Sequence, residues 1–265
     1  MNIRDKIKES KRIVIKVGTS TITYPHNGRI NLKRVEKLAW VLSDIVNEGK
    51  DVVLVSSGAI GVGSVRLNFT ERPKEIKKKQ AAAAVGQAVL MQIYQNFFME
   101  YNHSVAQILL TKDDVEIEKR RYNIENTFET LFEMGIIPIV NANDTISTEE
   151  IEFSDNDRLS ALVAEITKAD LLIILTDIDA LYDDDPKSNP NAKRVSYVEK
   201  ITDEIMSMAG TNGSKYSVGG MATKLEAAKM CSENNIHMVI AQGDDPKIID
   251  NIMEGMDIGT FFDGK

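Results

Sequence analysis

The chain has 265 residues, enough to bury a large core as one α/β domain or two closely packed lobes, and its 43% hydrophobic and 27% charged residues are ordinary globular values. Its 32 Lys+Arg against 40 Asp+Glu give a formal net charge of -8, which argues against general nucleic-acid binding and makes any basic site a local one. A single cysteine, Cys231, excludes an intrachain disulfide and a thiolate zinc cluster and is expected to be a small core residue, while a charged N-terminus and the lack of a long apolar run point away from a membrane and toward the cytoplasm.

The first predicted element is a strand over Arg12 to Val17, a β-branched run that ends in Lys16-Val17-Gly18-Thr19-Ser20. Glycine followed by two hydroxyl residues can turn backbone N–H groups and side chains toward an anion. Taken alone, the stretch is equally an ordinary strand-to-loop junction with an exposed lysine. Asn31 can cap a helix carrying Val35, Leu38, Ala39, Leu42, Ile45 and Val46 at helical spacing, with Gly49 as its stop. Val52 to Val55 is a second strand, ending in Ser56-Ser57-Gly58. Two such turns separated by one helix make a right-handed βαβ unit, so both loops open on one sheet edge.

Glu71 to Lys79 is charge-rich and reads as a solvated helix start, and Gln80 to Tyr101 as a long alanine-rich helix packed closely on a neighbour. Val105 to Leu110 is a third strand and Glu125 to Met134 a helix. The stretch Thr111 to Tyr122, dense in both charge signs, has no assigned role. Ile136 to Val140 is a fourth strand despite Pro138, which removes a ladder donor. It runs into Asn141-Ala142-Asn143-Asp144.

Ser154 to Arg158 opens a helix whose buried face is Leu159, Leu162, Val163 and Ile166. Asp155, Asn156 and Asp157 can each cap it, yet three capping residues exceed what one helix end uses. Leu171 to Leu175 is the expected central strand and ends in Thr176-Asp177. Asp183 to Asn191 is expected as a solvated turn rather than a metal site, and Ala209 to Gly220 as a mobile loop. That loop leads to the Gly219-Gly220 start of a helix with Met221, Leu225 and Ala228 on one face. Met238 to Ala241, Lys247 to Met253 and Gly259 to Phe262 complete a strand, a helix and a terminal strand. No internal repeat or composition break divides the chain.

Four strands thus end in polar loops, where open α/β sheets bind ligands. Neither G-x-x-x-x-G-K-[ST] nor G-x-G-x-x-G is present, and His26, His103 and His237 lie outside these loops. Lysines beside glycine turns suit phosphoryl transfer, and a carboxylate acceptor is already a nucleophile that needs no general base.

Taken together, Ile15-Lys16-Val17-Gly18-Thr19-Ser20, Ser56-Ser57-Gly58-Ala59-Ile60, Asn143-Asp144, Asp155-Asn156-Asp157, Leu175-Thr176-Asp177, Leu181-Tyr182, Asp185-Pro186, Asn189-Pro190 and Gly219-Gly220-Met221-Ala222-Thr223-Lys224 resemble, in order and over nearly the whole chain, the amino acid kinase family. The Lys-Val-Gly-Thr-Ser and Ser-Ser-Gly-Ala-Ile loops are similar to those of its glutamate-phosphorylating branch. The resemblance implies a three-layer αβα sandwich around a mostly parallel sheet, in which about residues 1–165 bind glutamate and about 166–265 the nucleotide. The implied reaction is ATP-dependent phosphorylation, with Mg²⁺, of the L-glutamate side-chain carboxylate to L-glutamyl 5-phosphate, the first step of proline biosynthesis.

By the same resemblance, Lys16 and Lys224 neutralise the transferring phosphoryl group, and Asp157 orients them, an alternative to its reading as a cap. Ser57, Asp144 and Asn156 match glutamate-binding positions, with Asp144 suited to the ammonium. Lys16, Gly18, Thr176, Asp177 and the run Val218, Gly219, Gly220, Met221, Ala222, Thr223 and Lys224 match the nucleotide site. No protein metal ligand is assigned. Proline as feedback inhibitor and a homo-oligomer, dimer or tetramer, are also implied, with no nucleic-acid or membrane partner. Two departures stand out: Val218 replaces a frequent threonine, and there is no room for the C-terminal RNA-binding-like (PUA) domain that many members carry. The alternatives are a non-catalytic amino-acid sensor on the same fold and a sibling kinase of another acidic substrate.

Overall fold

The computed structural model describes residues 4–71, 73–146, 156–186, 188–208 and 220–264. Its strands are β1 (Arg12–Val17), β2 (Asp51–Ser56), β3 (Val105–Leu110), β4 (Ile137–Ala142), β5 (Leu171–Thr176), β6 (Leu181–Tyr182), β7 (Arg194–Val195), β8 (Tyr197–Val198), β9 (His237–Gln242) and β10 (Thr260–Phe262). Its helices are α1 (Asp5–Lys8), α2 (Thr19–Ile22), α3 (Leu32–Asn47), α4 (Ala59–Arg66), α5 (Ile76–Glu100), α6 (Lys112–Glu116), α7 (Glu118–Glu133), α8 (Asn156–Ile166), α9 (Asp203–Met208), α10 (Met221–Glu233) and α11 (Ile248–Met253).

Eight strands form one sheet in the order β3-β4-β2-β1-β5-β9-β10-β8, and β6 pairs with β7 in a separate ribbon. Every pairing in the large sheet is parallel except that of β9 with β10. The inner strands β4 and β5 are buried at all six positions, which is why they read as continuous apolar runs rather than alternating ones. Side chains alternate between the faces. Ile13, Ile15 and Val17 pack with α3, α5 and α11, and Val14 packs with α8 and α10 on the other side. The result is the expected three-layer αβα sandwich. Lys16 shares parity with Val14 and therefore faces the α8–α10 layer.

Local signals hold where they are self-contained. Asn31 Oδ1 accepts the Arg34 N–H and caps α3. Pro138 is accommodated inside the sheet by the hydrogen-bond phase. The Ile137 N–H donates to the Ser104 carbonyl, so odd-numbered residues of β4 bond toward β3 and Pro138 faces β2, whose pairing with β4 begins only at Ile139. The alanine-rich α5 lies against α4 so closely that a Cβ on Gly63 or Gly86 would sit 1.8 Å from the carbonyl oxygen of Ala82 or Ala59. Cys231 is buried in the core, and burial pushes its thiol up to about 12.

The element boundaries follow the sequence expectation in part, and β4 extends to Ala142, two residues past Val140. Helix α5 starts at Ile76, so the lysine-rich stretch forms its exposed first turn, as expected of a solvated helix start. Helix α7 starts at Glu118 instead of Glu125, and the unassigned segment before it is α6, held by a capping box in which Thr111 and Asp114 satisfy one another's backbone amides. The turn-rich excursion is flanked by the strands of the β6–β7 ribbon, and within it Asp184 accepts from Asn189 and from the Asp185 N–H, which fits a self-satisfied turn. The expected mobile loop, residues 209–219, lies outside the described residues, as do Ser154 and Asp155.

Candidate active site

The carboxyl ends of the parallel strands β1, β2, β4 and β5 open along one edge of the sheet, so the polar loops after them converge there. Backbone bonds continue past the strands and tie these loops together. The Ser57 N–H donates to the Val17 carbonyl, the Gly18 N–H to the Leu175 carbonyl and the Gly243 N–H to the Thr176 carbonyl. Gly58 has φ +106, a conformation that favours glycine. Gly243 needs to be small for a different reason, since a Cβ there would lie 2.7 Å from Thr21 Oγ1.

At the centre stands Asp157, in the first turn of α8 and fully buried. Its Oδ1 accepts from Lys16 Nζ at 2.5 Å and its Oδ2 from Lys224 Nζ at 2.9 Å. The Thr223 hydroxyl lies 3.1 Å from Oδ2 and 2.8 Å from the Gly220 carbonyl. Lys16 is 6% and Lys224 2% exposed, so two ammonium groups are held out of water by one carboxylate. The lysine near the end of β1 is therefore not the exposed junction residue it resembles in isolation. Burial pushes the Asp157 carboxyl up, but the charges of Lys16 and Lys224 outweigh it and hold the group below its ordinary value.

Among the described residues, Lys16, Lys224 and Asp157 together carry one surplus positive charge. Lys224 also sits in the first turn of α10, where the helix dipole disfavours a cation and favours an anion. Among the described residues no side-chain cap is made at Gly220, and the first-turn amides of Met221, Ala222 and Thr223 add to the same positive end. An anionic group bearing more than one charge, such as a phosphoryl group in transfer, suits this arrangement.

A second network lies beside the first. Asn156 Nδ2 donates to Ser57 Oγ at 2.9 Å and to Asn141 Oδ1 at 3.0 Å, and Asn141 Nδ2 donates to Gln87 Oε1 at 2.9 Å. Asp144, half-buried after β4, lines a small cavity with Gln87 and Thr145. Thr176 Oγ1 donates to Asp177 Oδ1 at the end of β5. Thus Lys16, Asp157, Thr223 and Lys224 come together directly, as do Ser57 and Asn156, whereas Asp144, Thr176 and Asp177 border the same edge. Val218 and Gly219 lie outside the described residues.

The motifs leave out Asn141 as a separate participant, and Gln87 altogether. Gln87 had a readable signal: it interrupts the apolar stripe Ala83, Leu90, Tyr94 and Phe98 at the spacing of a core position, where a polar residue has to be satisfied. Among the described residues, no group of three or more His, Cys, Asp or Glu could hold a metal ion, and no helix is long and apolar enough to cross a membrane.

Comparison with known proteins agrees with this architecture. Residues 11–242 match the model of the amino acid kinase family. The chain is 55% identical to the protein named glutamate 5-kinase of Clostridium perfringens, over 99% of each chain. It is 52% identical to the protein of that name from Listeria monocytogenes, over 99% of this chain and 96% of the relative. Among solved structures it superposes on the UMP kinase of Bacillus anthracis with TM-score 0.65 at 18% identity, covering 97% of both chains. It superposes on the carbamate kinase of Giardia lamblia with TM-score 0.67 at 15% identity, covering 97% of this chain and 99% of that one. At such identities these two structures speak to the fold.

Proposed function

The chain belongs to the amino acid kinase family, and on that footing we propose that it transfers the γ-phosphoryl group of ATP to the side-chain carboxylate of L-glutamate, giving L-glutamyl 5-phosphate and ADP for proline biosynthesis. The observation that carries this reading is the buried pair of ammonium groups on Asp157, which suits phosphoryl transfer to an acceptor that needs no deprotonation.

In the reaction a carboxylate oxygen of glutamate forms a bond to the γ-phosphorus, and the bond from that phosphorus to the bridging oxygen breaks, leaving the electron pair on ADP. Lys16 and Lys224 neutralise the charge that spreads over the equatorial and bridging oxygens. Asp157 keeps both ammonium groups in place before substrate arrives, so the alignment is not assembled during the reaction. Ser57, Asp144 and Asn156 hold glutamate, with Asp144 on its ammonium. Gly18, Thr176, Asp177 and the α10 N-terminus, with Val218 and Gly219 before it, hold the nucleotide. The division into a glutamate-binding part to about residue 165 and a nucleotide-binding part after it follows from the family resemblance, with Lys16 and Gly18 of the first part also reaching the nucleotide.

Mg²⁺, when bound with the nucleotide, neutralises phosphate charge. The oxygens of Asp157 are already engaged by cationic and hydroxyl donors, so the phosphates rather than this carboxylate would supply its ligands. Feedback inhibition by proline in the glutamate pocket and assembly into a homo-oligomer are parts of the same reading, supported by the family resemblance.

Incubating the protein with Mg-ATP, hydroxylamine and single acidic amino acids traps the acyl phosphate as a hydroxamate. L-Glutamate is expected to give hydroxamate and an equal amount of ADP, and L-aspartate little of either. Equal turnover of the two amino acids would overturn the substrate assignment.

A further inference from the structure

The buried amide network has a fixed direction, and that direction reaches the cavity beside Asp144. It starts at a group whose polarity is beyond choice: the Ala142 backbone N–H, which can only donate, bonds to Asn141 Oδ1 at 2.9 Å. The Asn141 oxygen is therefore on that side, and its Nδ2 is the atom that faces Gln87. An amide nitrogen needs an acceptor, so Gln87 presents Oε1 to Asn141, and its Nε2 is turned away from the network. On the other branch, Asn156 spends both Nδ2 hydrogens, on Asn141 Oδ1 and on Ser57 Oγ. Its Oδ1 remains as an acceptor, and the Ser57 hydroxyl, having accepted, remains able to donate.

Gln87 is 8% exposed and projects from α5 into a small cavity that it shares with Asp144, Thr145, Ala59, Ala83 and Leu109. A buried glutamine on an otherwise apolar stripe, with its oxygen engaged and its NH₂ unused among the described residues, places a neutral donor beside a carboxylate. A zwitterionic amino-acid head group is complementary to that pair, with the ammonium on Asp144 and the α-carboxylate on a donor. Ala59, Ala83, Leu109 and Ala142 form the apolar part of the lining, and Asn143 and Thr145 add polar groups beside Gln87 and Asp144.

We propose that Gln87 is a specificity-determining residue, whose Nε2 donates to the α-carboxylate of the amino-acid substrate while its Oε1 locks Asn141 and, through it, the orientation of Asn156. This rests on the glutamate reading above. It adds that the Gln87 donor makes a charge-assisted bond to an α-carboxylate and a weaker neutral one to an α-carboxamide, so the site favours the α-carboxylate. A charge-assisted hydrogen bond of this kind is worth about 1.5–3 kcal/mol, which converts to roughly a 10- to 150-fold change in kcat/KM.

The test uses the hydroxamate assay with L-glutamate and with its α-carboxamide, L-isoglutamine, both of which keep the reacting side-chain carboxylate. The Gln87→Met variant keeps the volume without the donor, and Gln87→Glu keeps an acceptor for Asn141 but faces the substrate with a carboxylate. The glutamate-to-isoglutamine ratio of kcat/KM is expected to fall about fivefold in Gln87→Met, the difference between a charge-assisted and a neutral hydrogen bond, and further in Gln87→Glu, with KM for ATP within about twofold of wild type. Equal losses on both substrates would mean a structural role and would overturn the proposal, as would an unchanged ratio. Wild-type protein without hydroxamate from L-glutamate would overturn the parent reading as well, whereas an active wild type with an unmoved ratio removes only this one.

Discussion

Replacing Asp157 by Asn removes one charge, keeps the side-chain shape and leaves Lys16 and Lys224, 6% and 2% exposed, without their shared counter-charge. Removing one partner of a buried ion pair costs about 3–5 kcal/mol. The upper part of that range is expected, because one carboxylate serves two cations that then repel each other. With about 2.1 cal/mol/K of unfolding entropy per residue over 265 residues, the loss corresponds to a fall in Tm of roughly 5–9 °C. Urea unfolding and calorimetry at pH 7 read both quantities.

The pH dependence has a definite sign. The folded-state pKa of Asp157 is lowered, so its contribution is fully present above the unfolded value of about 3.9 and fades as pH falls through the folded value. The difference between wild type and Asp157→Asn should hold steady from pH 7 to about 5 and shrink only below about 4. Adding Lys224→Met to Asp157→Asn removes one stranded ammonium and should recover at least about 1 kcal/mol relative to additivity. An Asp157→Asn protein within about 1 kcal/mol of wild type, or a difference that persists unchanged at pH 2, would refute this account of the cluster.

Lys224→Ala leaves Lys16 and Asp157 as a neutral pair, so the fold is retained, but it removes charge that matters most in the transition state. A drop in kcat of at least about 10²-fold with little change in KM for glutamate is expected in steady-state kinetics, and a loss confined to glutamate affinity would contradict the role. Gly86→Ala introduces a Cβ 1.8 Å from the Ala59 carbonyl oxygen, which has to push α4 and α5 apart. The cost should reach at least about 1–3 kcal/mol, read by urea unfolding, whereas a variant as stable as wild type would show that the two helices can separate freely.

Much of the sheet was legible because its signals are local. A buried parallel strand reads as a nearly continuous apolar run, and β1, β2, β5 and β9 are visible for that reason, whereas the half-buried edge strand β3 shows only as a short apolar run around Gln107; the Asn31 cap of α3 is equally local. The charged segment before α7 was not legible, because the Thr111–Asp114 capping box acts through two side chains rather than through periodicity. Pro138 looked like an obstacle because the sequence does not say to which neighbour an even-numbered residue of β4 bonds.

The residue types of the site were determined by the chain itself: two lysines at glycine turns, a run of capping residues before Leu159, and polar loops at the ends of strands. Where they meet was decided by tertiary structure. Lys16 and Asp157 are 141 positions apart, and Asp157 and Lys224 are 67 apart. They converge because strand parity aims Lys16 at the α8–α10 layer and the parallel order of β1 and β5 brings both helix N-termini to one edge. The direction of the amide network belongs to the same class. Nothing in the identities of Asn141, Asn156 and Gln87 says which end of each amide donates, and only a backbone N–H placed beside one of them breaks that symmetry.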